Sequence, residues 1–209
     1  MTVAGLLLAA GAGRRLGGPK ALVEVEGEPL VRRGIRLLVE GGCDPVVVVV
    51  GAQGEAVRAL VIGSEVVAEV VQATDWDTGM GASLQAGLAH LSTLPGVQSC
   101  VVALVDQPLV TSVVVERLLA TGGTAVVAAY DGRPRNPVLL DRSVWPGVSA
   151  AAVGDEGARG WLRAHPELVT AVDCTDVGAP DDVDTPADLE AMLALLSLSH
   201  ATTAPKEFE

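Results

Sequence analysis

Val46–Val50 is five consecutive valines, introduced by Pro45 and ended by Gly51. β-Branched residues favour the pleated conformation, and a short unbroken apolar run is typical of a parallel strand buried on both faces. Val3–Ala9 and Cys100–Val105 repeat the pattern, and further strands are expected at Glu65–Val71, Ala125–Ala129, Pro137–Leu140 and Val169–Cys174. Between them the apolar spacing changes to that of helices. Glu28–Glu40 carries Leu30, Val31, Ile35, Leu38 and Val39 on one face and stops at Gly41-Gly42. Helices are also expected over Glu55–Ile62, Ala82–Leu91 (entered through Gly79-Met80-Gly81), Thr111–Ala120 with Thr111 as N-cap, Asp155–Ala164 and Pro186–Leu196. Strands alternating with helices imply one α/β domain, Rossmann-like, with a mostly parallel twisted sheet and helices on both faces. It should occupy residues 1–197, with 198–209 as a loose C-terminal tail.

Ligands of such folds bind beyond the carboxyl ends of the strands. The loops after Ala9, after Val105 and after the strand near Cys174 should therefore carry function. The formal charge is −12, with 14 Lys and Arg against 26 Asp and Glu. That balance repels nucleic-acid backbones and anionic membranes. Aromatic residues are only 2% of the chain, too few for a base-stacking platform along a nucleic acid. No apolar run approaches a membrane span, and a cytoplasmic protein is expected. Cys43, Cys100 and Cys174 are far apart and odd in number, which points to free buried thiols rather than disulfides or a zinc site. His90, His165 and His200 do not cluster with a nucleophile and are expected to be structural or solvent-facing.

The first loop, Gly11-Ala12-Gly13-Arg14-Arg15-Leu16-Gly17-Gly18-Pro19-Lys20, reads as an anion cradle. Glycines let backbone amides approach a ligand, and Arg15 and Lys20 add charge that can follow a phosphate. Residues 1–36 hold six basic and three acidic side chains, whereas residues 173–209 hold one and nine. The loop lacks the Gly-Lys-Ser/Thr of a P-loop. Its glycines space as GxGxxxG, and the second strand ends without an acid for a ribose, both arguing against a dinucleotide reductase. Asp106 ends an apolar strand. Asp182 and Asp184 flank Val183 in an extended segment, so they should face the same side. Carboxylates that converge need a cation or a proton between them, and Mg²⁺ suits a few carboxylates plus substrate phosphates. Thr185-Pro186-Ala187-Asp188 reads separately as a capping box.

The run A-A-G-x-G-x-R-x-G-x-x-K from Ala9 to Lys20 closely resembles the signature loop of the molybdenum cofactor nucleotidyltransferase family, with its GT-A-like NTP transferase domain. DVDTPADL, from Asp181's neighbour Asp182 to Leu189, resembles the closing motif of the same family. The resemblance covers the chain from the first strand to about Leu193. It implies that Leu8, Ala9, Ala10 and Gly11 lie near base and ribose, that Gly13 and Arg15 meet phosphates, and that Lys20 contacts the α-phosphate. Ser83, in Gly79-Met80-Gly81-Ala82-Ser83, matches a base-contacting serine, with a helix N-cap as its other reading. Asp106, Asp182 and Asp184 match the metal-binding aspartates. Gly132–Leu140 and Gly154–Arg159 resemble the acceptor side of the cytidylyltransferase branch, which makes Asn136, Pro137 and Arg159 acceptor-binding candidates. The implied reaction moves CMP from CTP (or GMP from GTP) to a phosphorylated acceptor, molybdopterin, with Mg²⁺ and with a molybdoenzyme or chaperone as transient partner. Arg15, Lys20 and Asp106 are the implied catalytic residues. Guanylyl or cytidylyl transfer to phospholactate, phosphoenolpyruvate or a polyol phosphate is the runner-up, and a non-catalytic carrier of a nucleotide-linked cofactor the distant one.

Overall fold

A computed structural model describes residues 2–63 and 66–203, with side chains described through Leu196. The elements run β1 (Thr2–Ala9), β2 (Glu24–Val25), β3 (Glu28–Pro29), α1 (Leu30–Glu40), β4 (Val46–Val50), α2 (Gly54–Ile62), β5 (Glu69–Gln72), α3 (Met80–Thr93) and β6 (Val97–Leu104). They continue with α4 (Ser112–Thr121), β7 (Ala125–Tyr130), β8 (Arg133–Asp141), α5 (Trp145–Ala151), α6 (Arg159–Ala164), β9 (Val169–Asp173) and α7 (Pro186–Thr203). Seven strands form one sheet in the order β5-β4-β1-β6-β8-β7-β9, parallel except for β8, which runs antiparallel to β6 and β7. A small antiparallel hairpin pairs β2 with β3.

The valine run behaves as its composition demands. Val46, Val48 and Val50 belong to the core on one face of the sheet, and Val47 and Val49 to the core on the other. β1 alternates in the same way, Leu7 and Ala9 against Ala4, Leu6 and Leu8. Residues of α1, α2, α4 and α7 fill the first face, and residues of α3, α5 and α6 the second. All five valines are at most 2% exposed, each burial stabilising the fold by roughly 1.5–3 kcal/mol.

Several boundaries differ from the expectations, each for a local reason. The helix expected from Glu28 starts at Leu30, because Glu26 and Gly27 both take positive φ and turn a hairpin there. The strand expected from Pro137 starts at Arg133. Asp131 (φ 50°) and Gly132 (φ 73°) form a two-residue hairpin turn between β7 and β8. The strand expected over Glu65–Val71 begins at Glu69, opposite Val47; Glu65 lies outside the described residues. The helix expected over Asp155–Ala164 is divided by Gly157 (φ 54°) into a short turn at Gly154–Glu156 and α6. Thr111 stands at the N-cap position of α4, but its hydroxyl donates to the Val177 carbonyl (2.6 Å) instead of capping. α7 runs through Thr203 rather than ending near Leu196, since no Gly or Pro interrupts it there; 204–209 lie outside the described residues.

Cys43, Cys100 and Cys174 are free and buried. Burial pushes the Cys43 thiol up to about 12 and the Cys100 thiol higher still. A thiol that stays protonated in the fold but ionises in the unfolded chain near pH 9 gives stability that is full below that pH. The contribution is lost as pH rises toward the folded value. Each such thiol should cost about 1.4 kcal/mol per pH unit in that window. Urea midpoints measured between pH 8 and 11 should therefore fall less steeply for Cys43→Ala than for the parent. Parallel slopes would contradict the assignment. No helix of the described residues is long and apolar enough to cross a membrane.

Candidate active site

β1 pairs with β4 on one side and β6 on the other, so the segments after Ala9, Val50 and Leu104 emerge side by side at one end of the sheet. The first loop turns at Gly13, whose φ is +56° and whose carbonyl accepts the amides of Leu16 (2.9 Å) and Gly18 (3.3 Å). A Cβ at Gly13 would stand 1.9 Å from the Gly18 carbonyl oxygen, so the turn needs glycine. Among the described residues, the amides of Gly11, Ala12, Gly13, Arg14 and Arg15 donate to no protein acceptor. Successive free amides of this kind make a nest for an anion.

The acidic segment docks opposite. The Val183 amide donates to the Asp106 carbonyl (2.9 Å), and the Val183 side chain is buried at 2% exposure. Its chain neighbours Asp182 and Asp184 are thereby left outside the core. They take different partners. Asp182 accepts a hydrogen bond from the Gln107 side-chain amide (2.9 Å). Asp184 accepts one from Arg15 (2.9 Å) and another from Lys20. The Lys20 ammonium also donates to Asp106 (2.5 Å), so one cation bridges the first loop, the end of β6 and the approach to α7.

The protonation behaviour follows from this placement. Burial opposes the charge on Lys20, but Asp106 and Asp184 outweigh it and hold the ammonium above its ordinary pKa. The Lys20 hydrogen bond, with Arg15 behind it, keeps Asp184 below the usual carboxylate range. Asp182 shifts up, first through burial and then through the neighbouring Asp106 charge. The capping box forms as read, with the Thr185 amide donating to Asp188 (2.8 Å) and the Asp188 amide to the Thr185 hydroxyl (3.2 Å). Among the described residues no three carboxylate, thiol or imidazole groups are arranged as a ready metal cage. The donor set nevertheless suits a cation. Asp106 and Asp184 already share a positive charge, and Asp182 lies close enough to Asp106 to feel it. A divalent ion that takes a few carboxylates and completes its shell from substrate phosphates fits such a site.

A cavity of about 370 Å³ lies between the first loop, Asp106 and the start of α3, within the size range of small-molecule sites. Of the residues the sequence singled out, Leu8, Ala10, Gly11, Gly13, Lys20, Ser83 and Asp106 line it. Ala9 does not; its side chain belongs to the core at 1% exposure. Arg15 does not either, because it reaches outward to Asp184, and Arg14 lines the cavity in its place. Ser83 sits inside α3 and Gly79 holds the N-cap position, which removes the capping reading of Ser83. Asn136 and Pro137 lie on β8, upstream of Val138, which pairs with Val102, so they extend over the same sheet end as Asp106. Arg159 opens α6. None of the three lines the cavity. Trp76, Asp77, Met80 and Asp155 do, and sequence reasoning missed them as site residues. Asp155 accepts the Met80 amide (3.3 Å), tying the start of α3 to a remote segment. Of the histidines, His90 pairs with Glu69 (2.7 Å) and His165 stacks on Trp161, and neither lines the cavity; the His200 side chain lies outside the described residues.

An amide nest and a lysine bonded to two carboxylates border a cavity at the sheet's carboxyl edge, an arrangement in an α/β domain that suits an anionic ligand. The family model described as the MobA-like NTP transferase domain matches residues 5–169, and the chain belongs to that family of nucleotidyltransferases. It is 41% identical to nicotine blue oxidoreductase of Paenarthrobacter nicotinovorans, over 93% of this chain and 96% of that protein. It is 36% identical to a probable molybdenum cofactor guanylyltransferase of Opitutus terrae, covering 81% of this chain and 79% of that one. The structure of Rv0371c from Mycobacterium tuberculosis in complex with manganese is also similar. It has a TM-score of 0.73 at 27% identity, covering 93% of this chain and 99% of that one. A divalent ion thus accompanies the fold in a homologous structure.

Proposed function

We propose that this protein transfers CMP from CTP to the terminal phosphate of molybdopterin, releasing pyrophosphate, as a cytoplasmic Mg²⁺-dependent enzyme. The observation that carries the reading is the Lys20 ammonium held between Asp106 and Asp184 beside five free loop amides. In this reading the amides from Gly11 to Arg15 hold the triphosphate, and Leu8, Ala10 and Ser83 border the base. Lys20 meets the α-phosphate, where charge builds during transfer. Asp106, Asp182 and Asp184 would hold the divalent ion, which when bound neutralises and aligns phosphate oxygens. Asn136, Pro137 and Arg159 face the acceptor. An acceptor phosphate oxygen attacks the α-phosphorus as the bond to pyrophosphate breaks. A phosphate monoester with a second pKa of about 6 is already largely dianionic at pH 7 and needs no histidine base.

Pyrophosphate release with CTP, GTP, ATP and UTP, each with Mg²⁺ and molybdopterin, tests the reading. CTP should support the fastest release. A preference for GTP would move the protein to guanylyl transfer, the activity in the name of the Opitutus relative. Nucleotide binding without release from any acceptor phosphate would make it a carrier. A second reading, an oxidoreductase, is favoured by the 41% identity to nicotine blue oxidoreductase. Oxidation of NADH or NADPH without added metal, together with silence in the pyrophosphate assay, would select it.

A further inference from the structure

We propose that Trp76 forms a wall of the nucleotide site on which the planar base stacks, and that this indole supplies much of the affinity for the nucleoside part. The inference rests on the nucleotide reading above. The chain has three tryptophans. Trp145 and Trp161 are 2% and 6% exposed and are committed elsewhere: the Trp145 N–H donates to the Leu140 carbonyl (3.1 Å), and the Trp161 ring stacks on His165. Trp76 is different. It is only partly buried, lines the cavity with Ala10, Gly11 and Ser83, and its indole N–H donates to no protein group among the described residues.

Its position is also fixed. Trp76 opens a single 3-10 turn, Trp76–Thr78, in which the Thr78 amide and hydroxyl both donate to the Asp75 carbonyl (3.0 and 2.7 Å). The Gly79 amide donates back to the Trp76 carbonyl (3.3 Å). Underneath lies Gly51, the residue that ends the valine strand. A Cβ there would stand 2.5 Å from Trp76 Cγ and 2.7 Å from the Ala10 carbonyl oxygen. The missing side chain lets the indole settle against the backbone that leads into the amide nest. A flat, polarisable face held beside a phosphate cradle recognises a heteroaromatic base by stacking, which is sequence-tolerant because every base has a π-face.

The test uses the full chain and follows intrinsic fluorescence while CTP or GTP is added with Mg²⁺. Nucleotide should quench the parent protein, and the quench should vanish in Trp76→Phe, where Trp145 and Trp161 remain. Trp76→Leu should raise the nucleotide Kd and KM by about ten-fold with kcat within about three-fold, and Trp76→Phe should recover most of the affinity because a ring is restored. Unchanged nucleotide affinity in Trp76→Leu, or a quench that persists in Trp76→Phe, would overturn the inference and leave the nucleotide reading standing. A parent protein that binds no nucleotide by calorimetry would overturn both.

Discussion

Lys20→Ala and Asp106→Ala each lose pyrophosphate release by on the order of 10²–10³-fold, the usual cost of removing one preorganised charge contact, while thermal unfolding stays cooperative. The argument is local. The Lys20 and Asp106 side chains are 16% and 18% exposed, so their interaction is only partly screened. Neither belongs to the hydrophobic core on either face of the sheet. Removing the ammonium leaves Asp106 and Asp184 facing each other without their shared cation, which should tighten the demand for an external one. Lys20→Ala should therefore respond more steeply to added Mg²⁺ than the parent does. Turnover within a few-fold of the parent in either variant would remove these residues from the proposed roles.

Gly13→Ala should abolish measurable nucleotide binding, whereas Gly17→Ala should reduce it only modestly. Both positions have positive φ, +56° and +86°, so alanine pays a similar conformational cost of about 1–2 kcal/mol at each. The difference is space. Nothing lies within 4 Å of a Cβ on Gly17, but a Cβ on Gly13 would overlap the Gly18 carbonyl oxygen at 1.9 Å. That oxygen is backbone and cannot rotate away, so the turn must open and scatter the amides from Gly11 to Arg15. Losing two or three charge-assisted hydrogen bonds of about 1.5–3 kcal/mol each would weaken triphosphate binding at least 10²-fold. Calorimetric titration of both variants checks the contrast, and equal affinities would refute it.

The sheet and the two halves of the site were legible because they rest on signals that local chemistry cannot hide. Unbroken valine has no polar face to offer water, and Gly13 and Asp106 stand where apolar strands end. Val183 lies in the core, as the reading of its segment expects. What the alternation could not show was the choice of partner. Gln107 and Lys20 lie far from the acidic segment in the chain and divide the two aspartates between them. Arg15 and Arg14 exchanged places because adjacent residues in a turn point in different directions, and spacing alone does not say which faces the cavity. The Asp131-Gly132 dipeptide is a strong turn signal, and the chain uses it as the hairpin between β7 and β8. Trp76 could have been noticed as one of few aromatic residues, set just before the glycines that open α3, but only the folded chain brings it against Gly51.

The central three strands carry one more implication. The amide nest continues β1, the rest for Trp76 ends β4, and Asp106 follows β6; β1 is hydrogen-bonded to both of the others. Cradle, platform and carboxylate are therefore hung from adjacent planks of the same raft, in its most deeply packed timber. Loosening that raft would disperse all three at once, so this protein cannot gain plasticity at its reactive centre without surrendering the part of the molecule that resists melting longest.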